Sequence, residues 1–129
     1  MSRNALGARF AQTVSKSEAD LAYERYILPT AGKVYYDGLF GIGTRVQFDN
    51  PNRPPMLLIA GKKDLTAQHC MITANYERQL QVPSRTDFKM FAGGSHWLRL
   101  DRGWEEVADY AIDWSARNAN SIGRIGKAA

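Results

Sequence analysis

The stretch RPPMLLIAGKKD, residues 53–64, constrains the fold more than any other. Pro54-Pro55 punctuates its start, Met56–Ala60 is an unbroken apolar run, and Gly61 ends it. A strand with one wet face alternates polar and apolar residues. An unbroken run instead predicts a strand buried on both faces, the pattern of a parallel sheet with helices on either side. A second, shorter strand is expected at Thr86–Phe91, after Pro83.

Helical signals surround these strands. Ser15-Lys16-Ser17-Glu18 has capping-box spacing and predicts a helix to about Leu28, ended by Pro29. Leu21, Arg25 and Leu28 fall on one side of it, Ala22 and Tyr26 on a neighbouring one. Gly32–Asn50, with Tyr35, Tyr36 and Phe40, reads as a short helix and loop. Thr66 is placed to cap a helix to about Leu80, with Met71, Ala74 and Tyr76 facing inward. Trp104, Val107, Ala108, Ala111 and Trp114 form a helical stripe opposite Glu105, Glu106, Asp109 and Asp113. The expected division is a helical cap-like segment at 1–50, an α/β core portion at 51–117 and a flexible tail at 118–129. The order helix, strand, helix, strand, helix is an α/β order.

Two parallel strands are too few for a stable layer, because an apolar strand with an open edge seeks another strand. The sequence reads as part of a larger sheet, to be completed by a missing N-terminal half or by a complementing chain. Self-association into a homo-oligomer stays open as well.

Composition narrows the function. No apolar run reaches the roughly 18 residues of a membrane span, so no membrane role is expected. Met1–Phe10 carries Arg3 and Arg9 without an apolar signal core, which predicts no signal peptide. The single cysteine, Cys70, permits no internal disulfide and points to a cytoplasmic setting. The net charge of +4 invites a nucleic-acid reading. The basic residues are scattered and often sit beside acids, as in Glu24-Arg25 and Glu77-Arg78, so no nucleic-acid partner is expected.

The chemistry concentrates at two loops. Asp64 follows the first strand and His96 the second, in FAGGSHWLRLDRGWEEVADYAIDW. Loops after parallel strands gather along one sheet edge, so the two side chains can meet there. A carboxylate on one imidazole nitrogen fixes the tautomer and frees the other nitrogen as a general base. The bland alternative is a turn aspartate and a satisfied loop histidine. Cys70 reads as a small buried core residue, and His69, Cys70 and His96 match no zinc spacing. Trp97, next to the candidate base, is placed to line an acyl pocket.

PPMLLIAGKKD together with FAGGSHWLRLDRGWEEVADYAIDW resembles the C-terminal half of an α/β-hydrolase. The segment FAQTVSKSEADLAYERYILPTAGKVYYDGLF is similar to the helical cap that such enzymes insert before these strands. The resemblance implies two parallel strands flanked by helices plus a helical cap segment, with His96 as triad base and Asp64 at an acid position. It implies esterase-like hydrolysis of a small apolar ester, with no cofactor.

Two departures stand out. Ala67-Gln68 replaces the proline often found soon after the acid, and the family sometimes takes its acid from the preceding strand. More seriously, Gly-x-Ser-x-Gly, the strand-to-helix elbow that carries the nucleophile, is absent. Ala119-Asn120-Ser121-Ile122-Gly123 matches only a relaxed form and lies C-terminal to both partners. Ser95 adjoins His96 but is expected to shape the turn. The expected function is therefore the C-terminal portion of a serine hydrolase whose serine lies outside this sequence. The alternative is a non-catalytic truncated product, or a sheet-completing subunit of a two-chain assembly.

Overall fold

The computed structural model describes residues 1–122. Helix α1 (Arg3–Ala5) runs into a π-helical turn at Leu6–Phe10 and is followed by α2 (Lys16–Tyr26) and α3 (Lys33–Leu39). Then come β1 (Met56–Gly61), α4 (His69–Gln79), β2 (Thr86–Phe91) and α5 (Trp104–Ile122). The strands pair in parallel, with Met56 opposite Thr86 and Gly61 opposite Phe91. The result is a small α/β arrangement with one two-stranded sheet among the described residues.

Side chains alternate across a strand, and β2 shows which helix covers which face. Phe88 stacks on Tyr76 of α4, with ring centroids 5.5 Å apart. On the other face, Phe91 meets Tyr110 of α5 edge-on, and Asp87 accepts a hydrogen bond from the Trp114 indole. Helices α4 and α5 therefore lie on opposite sides of the sheet. Their cover is incomplete, since Met56–Ile59 are half-buried and full burial begins only at Ala60 and Gly61. The expectation of a strand buried on both faces fails for its first residues, because one helix per face cannot cover them.

The best-packed cluster lies beyond the sheet. Leu6, Ala11, Ala19 and Trp97 are buried together, with Phe10, Val14, Ala22, Tyr23 and Ile27 against them. The N-terminal turn and α2 thus pack on the loop that follows β2.

Local expectations fare unevenly. Ser15 caps α2 in a complete capping box with Glu18. The helix stops at Tyr26 rather than Leu28, since Ile27 is already extended and Pro29 disfavours helical geometry before it. Thr66 does not cap α4. Asp64 captures the amides of Thr66 and Ala67, so the helix begins at His69, after Gln68. Met71 and Ala74 are exposed, and the inward face runs through Ile72, Tyr76 and Gln79. Cys70 is exposed rather than buried. Trp104 is also exposed, while Val107, Ala108, Ala111 and Trp114 face inward as their spacing predicts. Helix α5 continues past Arg117 to Ile122, so the tail expected from residue 118 begins as helix; residues 123–129 lie outside the described residues. Among the described residues, no helix is long and apolar enough to cross a membrane.

Candidate active site

Both strands run out into loops at the same end of the sheet, and backbone bonds stitch those loops together. Lys62 N–H donates to Phe91 O (2.9 Å) and Lys63 N–H to Gly94 O (2.9 Å). Gly61 makes this closeness feasible, because a Cβ there would fall 2.6 Å from Ser95 O. The stitched loops carry Asp64 and His96.

The two side chains meet: His96 Nδ1 lies 2.9 Å from Asp64 Oδ2. The other carboxylate oxygen, Oδ1, accepts from the amides of Thr66 (2.7 Å) and Ala67 (2.9 Å). Burial opposes the charge on Asp64. Hydrogen bonds from His96, Thr66 and Ala67 outweigh that cost and hold the carboxyl below the usual carboxylate range. An ionised carboxylate only accepts hydrogen bonds, so Nδ1 must carry the proton and donate it. Neutral His96 then has its lone pair on Nε2. Among the described residues nothing hydrogen-bonds to Nε2, and the side chain is 33% exposed. In this arrangement the imidazole is held by Asp64 and Nε2 is open to accept a proton.

Phe10, which the sequence did not single out, closes one side. Its ring meets the imidazole edge-on at a centroid distance of 4.5 Å. Its carbonyl accepts from Trp97 N–H (3.1 Å), and the neighbouring Arg9 carbonyl accepts from the Thr66 hydroxyl (3.3 Å). Trp97 is buried and lines an open cavity of about 1050 Å³ with Phe10, Tyr23, Tyr26, Ile27 and Tyr35. Tyr36 and Phe40 are exposed on or just after α3.

No described residue is placed as the nucleophile of His96. Ser95 is fully buried; its hydroxyl donates to Asp101 Oδ1 (2.9 Å) and accepts from Trp97 N–H (3.0 Å). It shapes the turn. The Cys70 thiol is directed at Gln68 Oε1 (3.9 Å). Ala119–Ile122 continue α5 rather than forming an elbow, and Gly123 lies outside the described residues. Among the described residues, no three His, Cys, Asp or Glu side chains gather to hold a metal ion.

No protein-family model matches the chain, and neither a curated protein nor a solved structure does.

Proposed function

We propose that these residues form the acid–base half of a Ser-His-Asp hydrolase site, within the C-terminal portion of an α/β-hydrolase fold. His96 Nε2 takes the proton of a serine hydroxyl as the serine oxygen attacks an ester carbonyl. Asp64 stabilises the imidazolium that forms. His96 returns the proton to the departing alcohol and then deprotonates water, which frees the acid product and the serine. The serine and the oxyanion donors come from sequence beyond these 129 residues, in the same polypeptide or in a complementing chain that pairs with an open strand edge. The apolar lining around Phe10 and Trp97 suits a small apolar ester.

The observation that carries this reading is the Nδ1–Oδ2 hydrogen bond, joined to an Nε2 without a partner among the described residues. The test is hydrolysis of p-nitrophenyl butyrate by the native protein that contains this chain, with and without His96→Ala. The substitution should lower kcat by about 10³-fold or more. Equal rates would refute the role of His96.

A second reading has its own support. The half-buried Met56–Ile59 and the exposed Val34, Leu39, Phe40 and Ile42 fit a non-catalytic chain that completes another sheet. Absence of ester turnover in the native assembly would favour it. A cooperative melt of the chain as a monomer would count against any need for sheet completion.

A further inference from the structure

We propose that Asp101 is the positioning residue for His96, acting through Ser95 and Thr13. This rests on the reading of His96 as a base. Asp101 is 4% exposed, and both of its carboxylate oxygens are engaged. Oδ2 accepts from Ser95 N–H (2.6 Å), and Oδ1 accepts from the hydroxyls of Ser95 (2.9 Å) and Thr13 (2.6 Å). A buried carboxylate is costly unless several donors satisfy it, and three donors converge here.

Their placement gives the carboxylate its role. Ser95 immediately precedes His96, and pinning its amide and its hydroxyl fixes the chain that enters the histidine. Trp97 immediately follows, and its amide is held by Ser95 Oγ (3.0 Å) and Phe10 O (3.1 Å). The backbone of His96 is thus clamped on both sides, which leaves its ring directed at Asp64. Thr13 ties the N-terminal segment to the same carboxylate, and that segment carries Phe10, whose ring rests on the imidazole. One buried carboxylate therefore sets both the reach of His96 to Asp64 and the aromatic wall beside it. Alanine in its place would leave Ser95 N–H and the hydroxyls of Ser95 and Thr13 without their shared acceptor. Asparagine could keep all three, by accepting from Ser95 N–H and donating to the two hydroxyl oxygens.

The test is the imidazole NMR spectrum of the full chain, which needs no substrate. His69, the other of the two histidines, is exposed and serves as the internal reference. The wild-type chain should give a hydrogen-bonded Nδ1–H signal for His96, identified by its disappearance in Asp64→Ala. Asp101→Ala should lose that signal to solvent exchange while His69 and the dispersed amide spectrum persist. Ser95→Ala and Thr13→Val remove single donors and should weaken the signal in turn, so the question stays answerable if Asp101→Ala fails to fold. An unchanged His96 signal in folded Asp101→Ala, or in both single-donor variants, would overturn the proposal. An assembly without esterase activity would refute the hydrolase reading and leave this spectroscopic result standing.

Discussion

Gly61 and Gly94 lie against one another with no room for a side chain on Gly61, since a Cβ there would stand 2.7 Å from the carbonyl carbon of Gly94. This approach brings the loops after β1 and β2 together, and with them Asp64 and His96. Gly61→Ala would drive a methyl into the backbone of Gly94 and Ser95 rather than into a movable side chain. It should cost about 2–3 kcal/mol of stability and separate the two site residues. Thermal melting checks the first effect and the His96 Nδ1–H signal the second; a variant with native values in both would contradict the account.

Asp64→Asn tests the tautomer. The asparagine oxygen can still accept from the amides of Thr66 and Ala67, which turns its NH₂ toward His96. Nδ1 must then accept, the proton moves to Nε2, and the lone pair needed for base catalysis is lost. In the native protein containing the chain, kcat should fall by about 10⁴-fold with little change in KM. A loss confined to KM would mean that Asp64 contacts substrate instead.

Arg53 carries a separate prediction about the opposite end of the sheet. Its guanidinium donates to the carbonyls of Gln79 (3.1 Å), Ser84 (3.4 Å) and Arg85 (3.3 Å), and to the Thr86 hydroxyl. It thereby ties the start of β1 to the end of α4 and the start of β2. Arg53→Met would take the guanidinium donors from the Gln79 and Ser84 carbonyls and the Thr86 hydroxyl, while Met56 N–H still donates to the Arg85 carbonyl. It should cost about 2 kcal/mol, without moving the His96 imidazole signal. Denaturant melts read the first effect; a stability equal to wild type would show that water replaces the guanidinium freely.

Acid should weaken the fold through two carboxylates. Asp64 sits below the usual range for the reasons given above. Asp87 does too, held there mainly by the indole of Trp114, against burial and with help from Arg85. A carboxyl with a depressed folded pKa stabilises above its unfolded value, near 3.9, and that contribution is lost as pH falls through the folded value. Stability from these groups should hold from neutral pH to about 5 and decline below about 4. Asp64→Asn and Asp87→Asn should each flatten the decline, as Tm measured against pH would show. An equally steep acid limb in both variants would place the titration elsewhere.

The elements were legible where one local signal dominated. The apolar run of β1, the capping box of α2 and the spaced apolar positions of α5 each specify their element without tertiary help. Asp64 and His96 could be paired because parallel strands deliver their following loops to one edge. Contacts that depend on distant packing were not legible. Asp101 looks like any loop acid until Ser95 and Thr13 are seen to converge on it, and Phe10 reaches His96 only through the π-helical turn. Hydropathy misplaced the inner face of α4, since buried Gln79 outranks exposed Met71 once Arg53 and the strands set the packing. Cys70 was expected inside because cysteines usually are; here Asp64 delays the helix start, and Cys70 falls in its first, exposed turn.

The central claim is that His96 serves a nucleophile lying outside these residues. The most direct measurement is fluorophosphonate labelling of the native protein that contains this chain, with the modified residue mapped by peptide mass spectrometry. The account predicts label on a serine outside residues 1–129, and little or none once His96 is replaced by alanine. Label on Ser95 or Ser121, or equal labelling without His96, would contradict it.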